Sequence, residues 1–332
     1  MPSAYLVAAS GHDASRHAPT HSTARSLQTL GCFSFKNMKK TLLAIAILAI
    51  TLLCACQQEA EWREMPVKGN AVYYWRTHLA LDSAETNFLK QHDIRRIYCR
   101  YFDVVLNGGD EPMPNATITF GPKPLLPQNT ELVPTVFITE NCLRSSLDSL
   151  PRRIVRRILQ MNETNDIDSI HEIQVDCDYT ERSRDTFYKM LDEMRQLCHD
   201  NGLTLSATIR LHQLSMPAPP ADYGVLMLYN TGDPSRFDER NPILDLRDVA
   251  PYTKHLAGFD LPLAAAYPVF LWRRNIHGTG IEHQAPFETI ADVKKAVEKR
   301  RPDLAQLILT YHLSTDNINR YSTEEYETIY QH

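Results

Sequence analysis

Eight short apolar runs, rich in β-branched or aromatic residues, recur between amphipathic helical patterns over residues 71–312. The runs are Ala71–Arg76, Arg96–Leu106, Val133–Thr139, His171–Cys177, Thr204–Arg210, Gly224–Tyr229, Pro262–Val269 and Gln306–His312. Several lack a clean polar/apolar alternation, which suits strands buried on both faces of a parallel sheet. Between them, Asp82 with Glu85 predicts a capping box before a helix over Ala84–His92. Ser146–Met161 carries Leu147, Leu150, Ile154, Ile158 and Met161 at helical spacing. Asp185–His199 carries Phe187, Leu191, Met194 and Cys198, and Asn201-Gly202 then ends it. Helices over Asp245–Leu256 and Thr289–Arg300 follow. The Pro-rich segment Asn107–Glu131 reads as a long loop with one short strand, Ala116–Phe120, and Trp272–Pro286 as a second long insertion.

Eight strands alternating with helices predict an α/β fold, a (β/α)8 TIM-like barrel with an irregular second βα unit, forming one domain over residues 70–332. A doubly wound open sheet is the alternative, but no Gly-rich first turn supports it. Only 12 of the 332 residues are glycine, against 20 prolines, which disfavours a glycine-dependent nucleotide loop. No GxSxG elbow, HExxH, GxxxxGK[ST] or dinucleotide fingerprint is present, which demotes seryl hydrolases, zincins and P-loop enzymes and leaves no cofactor implied.

The N-terminal region reads as a targeting segment. Met38-Lys39-Lys40 precedes an uncharged, mostly apolar run from Thr41 to Ala55, the basic-apolar-small order of a secretory signal. Fifteen residues are too few to cross roughly 30 Å of hydrocarbon comfortably as a helix. Leu53-Cys54-Ala55-Cys56 resembles a bacterial lipobox, with Cys54 departing from it at the middle position. That resemblance implies cleavage before Cys56, a lipid on Cys56, and a signal peptide over residues 38–55. Residues 1–37 are then an over-extended start or a disordered leader, and residues 56–69 a tether. The acidic stretch Gln57-Gln58-Glu59-Ala60-Glu61 resembles the export tag of Bacteroidota surface lipoproteins, and a plain solvated tether explains it equally.

Losing residues 1–55 removes Arg16, Arg25, Lys36, Lys39, Lys40 and Asp13, so 35 basic and 40 acidic residues become 30 and 39, a net of −9. Such a chain has no general affinity for nucleic-acid backbones. Arg152, Arg153, Arg156 and Arg157 cluster, with a spacing that fits a wetted helix face. Cys99, Cys142, Cys177 and Cys198 show no CxxC spacing, so buried thiols are expected rather than a zinc site.

In such a barrel, polar groups at strand C-terminal ends face the site. In Ile173–Glu181 the alternation puts Gln174, Asp176 and Asp178 on one face, with Ile173, Val175 and Cys177 on the other. Two acids so spaced lie roughly 6–7 Å apart at Cα. The pair suits general acid/base work, in which one acid stays protonated because of the other. It also suits a divalent cation, or simple hydrogen-bonded capping of the strand. The next strand repeats the pattern, with Ser206, Thr208, Arg210 and His212 polar and Ala207, Ile209 and Leu211 apolar. Arg210 is then either a substrate-binding group or a structural ion pair to Asp176. His212 is a metal ligand, a proton carrier or a structural residue. Trp75, Arg76, Arg100, Asp103, Glu140, Asn141, Tyr229, Asn230, Trp272, Tyr311 and His312 add polar and aromatic groups at other strand ends. Aromatic faces at a polar mouth suit sugar rings.

The segments VPTVFIT at 133–139, IQVDCDYT, LSATIRLHQL and VLMLYNTG resemble a family of Bacteroidota lipoproteins, over most of residues 70–313. That family is similar to (β/α)8 glycoside hydrolases and distantly to family 18, the chitinase-like enzymes, which carry alternating acids at the end of the fourth strand. Asp176 and Asp178 fit that alternation. The acid-donating Glu of the motif falls at Thr180, and Glu181 is one residue late.

The leading expectation is a lipid-anchored glycoside hydrolase acting on an extracellular or envelope glycan, attached through Cys56 to a bacterial, outer, membrane. Asp178 would be the general acid, with Asp176 supporting developing positive charge or orienting substrate, and Glu140 the reserve acid. Arg210, His212, Tyr229, Asn230, Trp272, Arg100 and Trp75 would hold the sugar. A non-catalytic glycan-binding lipoprotein on the same barrel is the second expectation, favoured by the misplaced Glu181. A metal-dependent hydrolase using Asp176, Asp178, His212 and His312 is the third.

Overall fold

A computed structural model describes residues 64–109, 111–167, 170–233, 240–276 and 279–332, which lie within one unit, Trp62–His332. The leader, the signal segment and Cys56 lie outside the described residues. The described strands are β1 (Gly69–Tyr74), β2 (His78–Leu79), β3 (Ile94–Val105), β4 (Met113–Asn115), β5 (Thr119–Phe120), β6 (Glu131–Ile138), β7 (Glu172–Asp176), β8 (Thr204–Ile209), β9 (Tyr223–Met227), β10 (Leu263–Pro268), β11 (Leu271–Ile276), β12 (Thr279–Gln284) and β13 (Leu307–Tyr311).

Strands β1, β13, β10, β9, β8, β7, β6 and β3 pair in that order, all parallel, and β1 pairs back onto β3. The sheet therefore closes into an eight-stranded parallel barrel with helices interspersed. All eight expected runs supply its strands. Every residue of β7, β9 and β10 is buried; β9 and β10 are apolar almost throughout, whereas β7 also buries Glu172, Gln174 and Asp176.

Local chemistry sets the helix ends. Asp82 caps Ser83–Gln91, accepting from the Glu85 N–H at 2.8 Å, while the Glu85 side chain accepts from the Asp82 N–H at 3.1 Å. The helix expected from Ser146 begins at Leu150 instead and runs to Thr164, with Pro151 in its first turn, where a missing N–H is harmless. Arg184–Asp200 and Phe287–Arg300 match expectation within a few residues. The helix expected over Asp245–Leu256 is broken into Leu246–Val249, a 3-10 turn at Ala250–Tyr252, and Thr253–Leu256. Pro251 is the cause, since it donates no hydrogen bond and crowds the carbonyl one turn back.

One further expectation is corrected. Ala116–Phe120 is not one strand: Ala116 has φ +47°, which ends extended structure there. β4 instead pairs antiparallel with the end of β3, and β5 pairs with β2. The long insertion at Trp272–Pro286 is present after β10, and what the expectation left unspecified is its form: β11 and β12 make an antiparallel hairpin that pairs Trp272 with His283. The four thiols Cys99, Cys142, Cys177 and Cys198 are buried and free. No helix among the described residues is long and apolar enough to cross a membrane.

The N-terminal end of the barrel holds a buried polar network. Glu172, 1% exposed, accepts from Arg96 at 2.8 Å and from the Ser206 and Tyr223 hydroxyls at 2.5 Å each. The opposite end is where the candidate site lies.

Candidate functional site

β7 ends at Asp176, and the chain leaves the sheet as Cys177-Asp178-Tyr179-Thr180. β7 pairs with β8 in register, Gln174 opposite Ser206 and Val175 opposite Ala207. The polar face expected from alternation is therefore shared across two strands. Gln174 donates to the Ser206 hydroxyl at 3.2 Å, and Thr208 donates to Asp176 Oδ1 at 2.6 Å. Asp176 is 3% exposed. Burial raises its pKa above the ordinary carboxylate value; Arg210 opposes the rise, and Asp178 adds to it.

Asp178 lies beyond the strand and is exposed. Its Oδ1 accepts from Arg210 Nε. Arg210 is thus an ion-pair partner, as expected, but its direct partner is Asp178 rather than Asp176. Burial alone would lower the Arg210 pKa, and the neighbouring Asp176 and Asp178 raise it instead. Gln213 holds the following turn. Its Oε1 accepts from the Arg210 N–H at 2.8 Å and its Nε2 donates to the Tyr179 carbonyl at 3.0 Å.

Five expected residues, Asp178, Arg210, His212, Tyr229 and Asn230, line one open pocket of about 390 Å³. Tyr229 is 3% exposed, and its ring stacks on Tyr311 at 4.7 Å and 25°. Its hydroxyl oxygen is buried with no hydrogen-bond partner among the described residues. Burial raises its pKa well above the ordinary phenol value, so the hydroxyl is a neutral donor and acceptor. His212 is exposed, with Nε2 3.3 Å from the Tyr179 carbonyl. Asn230 reaches the pocket from a left-handed backbone, φ +54°, a conformation that Asn tolerates.

Three expected sugar-binding residues stand outside that lining. Trp75 packs on Tyr311 at 5.7 Å, and Arg100 lies 5.7 Å over the Trp75 ring while donating from Nε to Asp103 at 2.7 Å. Trp272 reaches the cluster through Phe270, 6.4 Å away. They extend an aromatic platform centred on Tyr311.

Glu140 does not join Asp178. It follows β6 in a 3-10 turn and lines a separate pocket of about 590 Å³ with Arg144, Thr180 and Glu181. The Thr180 and Ser183 hydroxyls donate to Glu140 Oε1 at 2.6 and 2.7 Å. Those bonds hold its pKa below the usual carboxylate range, the opposite of what a reserve acid needs. Glu181 faces the same separate pocket, so no bend returns it to Asp178. The four groups of the metal hypothesis are also not gathered. His312 sits 3.4 Å from Asn317, and no cluster of three or more His, Cys, Asp or Glu among the described residues could hold a metal ion.

Tyr252 and Thr231 line the pocket and were not foreseen. Tyr252 lay hidden in what reads as a continuous helix. The signal that could have found it is Pro251, which breaks that helix at the pocket.

No family model matches the chain, and no curated protein matches it. Solved structures do. A chitinase from Chromobacterium violaceum ATCC 12472 superposes with a TM-score of 0.54 at 13% identity, over 80% of this chain and 98% of its own. The spore cortex-lytic enzyme SleL of Bacillus cereus gives 0.49 at 12% identity, over 79% of this chain and 73% of its own. A GH18 chitinase from Pseudoalteromonas aurantia gives 0.44 at 13% identity, over 75% and 96%. At these identities the likeness is one of fold.

Proposed function

We propose that the barrel binds a glycan at its C-terminal mouth and does not cleave it. The observation that carries this reading is that all three candidate acids already serve the protein as acceptors. Asp176 is buried beneath Thr208, Asp178 accepts from Arg210, and Glu140 is held by two hydroxyls in another pocket. A general acid must hold a proton within hydrogen-bond reach of the leaving oxygen. Burial raises the pKa of Asp176, but that carboxyl is out of reach; Asp178 is within reach but is paired with a guanidinium.

What remains suits recognition. The pocket offers the Arg210 guanidinium, the Asp178 carboxylate and the Asn230 amide beside aromatic rings, the mixture that grips a ring with hydroxyls on its edges and C–H groups on its faces. A glycan is the ligand class we choose because the barrel with a TM-score of 0.54 is that of a chitinase. Hydrolysis is the second reading. It is favoured by one observation, the raised pKa of Asp176 beside Asp178, and it requires the Arg210–Asp178 pair to open when substrate enters.

The test uses the purified full-length protein over a broad glycan panel, measuring both affinity and reducing-end release, beside Asp178→Asn. Binding without release upholds the proposal. Release that disappears in a folded Asp178→Asn variant replaces it with the hydrolase reading.

The proposal extends to the N-terminus: an exported lipoprotein, akin to Bacteroidota lipoproteins, cleaved before Cys56 and anchored there to a bacterial, outer, membrane. Met38-Lys39-Lys40, the apolar run and Leu53-Cys54-Ala55-Cys56 support it. Metabolic labelling with a radioactive fatty acid should mark the wild type and not Cys56→Ser.

A further inference from the structure

The arginine cluster reads in sequence as a wetted helix face, yet three of its members enclose space. Arg153, Arg156 and Arg157 rim a pocket of about 310 Å³ between helix Leu150–Thr164 and the β3–β4 pair, over an apolar lining that includes Phe102, Met113 and Ile154. It shares no lining residue with the pocket at the barrel mouth. Met113 is 51% exposed, one of two large apolar side chains classed as exposed among the described residues.

The charges are unevenly satisfied. Arg153 pairs with Glu111 at 2.6 Å. The Arg157 guanidinium lies 5.2 Å over the Phe102 ring and donates from one Nη to the Thr117 hydroxyl at 3.2 Å, while its Nε is buried with no acceptor among the described residues. Arg156 has no ion-pair partner among the described residues. Two guanidinium groups thus stand without a carboxylate beside an apolar floor.

We propose that this pocket binds a small amphiphilic anion, an apolar chain or ring that ends in a carboxylate or phosphate. The apolar part covers Phe102, Met113 and Ile154. The head group pairs with the exposed Arg156 and accepts from the Arg157 Nη groups, in the forked geometry by which guanidinium groups recognise both kinds of oxyanion. The volume falls at the lower end of the roughly 300–1,000 Å³ found for small-molecule sites, so the ligand is compact. This site is independent of what the barrel mouth binds.

Isothermal titration of the full-length protein with decanoate, decyl phosphate, decanol and acetate tests it. One of the two amphiphilic anions should bind at one per chain, and decanol and acetate at least about tenfold more weakly. The tighter anion assigns the head group. Met113→Asp, a change at an exposed position, should abolish binding by placing a negative charge at the lip. Arg156→Gln should weaken it severalfold, and Arg157→Gln more. If Arg157→Gln fails to fold, the other two variants decide. Decanol binding as tightly as the anions, binding of neither anion, or binding that survives both Met113→Asp and Arg156→Gln would overturn the proposal.

Discussion

Replacing Tyr229 with Phe should raise the stability of the free protein and leave ligand affinity unchanged. The side chain is 3% exposed and its ring is held against Tyr311 at 4.7 Å, so Phe fits the same space. Only the hydroxyl is lost, and that oxygen is buried without a partner among the described residues. An unsatisfied buried polar group costs about 1–3 kcal/mol. Tyr229→Phe should therefore stabilise the free protein by at least about 1 kcal/mol, or roughly 2–4 °C in Tm for a chain of this size. That oxygen has no accessible surface for a glycan in the pocket to reach, so Kd should change by less than about 2-fold, below the roughly 0.5 kcal/mol of a lost hydrogen bond. Scanning calorimetry of the free proteins and titration with the glycan identified in the panel measure the two effects. A lower Tm would mean that the hydroxyl already has a structural partner. A Kd that rises by more than about 2-fold alongside a higher Tm would mean that the ligand does reach the hydroxyl. Either result refutes the reasoning.

Three further outcomes follow from the same structure. Burial raises Glu172 from 4.5 to about 7 against the opposing pull of Arg96, so the folded state binds the extra proton more tightly than the unfolded chain. Its stabilising contribution is complete below pH 4.5 and is lost as pH rises to about 7, a fall of about 3 kcal/mol. Urea unfolding at both pH values should show that fall reduced in Glu172→Gln, and parallel slopes would contradict it. Gly224→Ala should cost about 1–3 kcal/mol, because its Cβ would sit 2.7 Å from Ile209 Cγ1 and 2.9 Å from Leu263 Cδ2; an unchanged urea midpoint would show that the wall yields freely. Arg301→Met should cost about 3–5 kcal/mol, because it strands Asp303, 2% exposed and 3.0 Å from the guanidinium, and frees the carbonyls of Leu256 and Phe259. A loss below about 1 kcal/mol by the same assay would show that other groups take over those contacts.

Much of the site was legible before the fold. Alternation along a strand states which side chains share a face, and it correctly grouped Asp176 with Gln174, and Thr208 with Arg210 and Ser206. What it could not state is where the strand stops. β7 ends at Asp176, so Asp178 leaves the ladder and turns to Arg210, while Asp176 stays behind under Thr208. Alternation also assumes an unbroken ladder, and β3 shifts register between Arg100 and Phe102. That is why Arg100 meets Asp103 and Trp75 rather than the pocket lined by Asp178.

The chain by itself therefore determined the eight strands, most of the helices and the polar character of one barrel end. Those follow from local periodicity, capping and proline chemistry, which act over a few residues. Only the tertiary structure decided which acids are free, because that depends on the groups that barrel closure sets opposite them. Glu140 looks like any strand-end acid until Thr180 and Ser183, some forty residues on, donate to it. Tyr229 looks like any strand-end tyrosine until closure buries its hydroxyl with no partner among the described residues. A residue's type and direction are local properties, but its protonation and availability are set by neighbours that are distant in sequence.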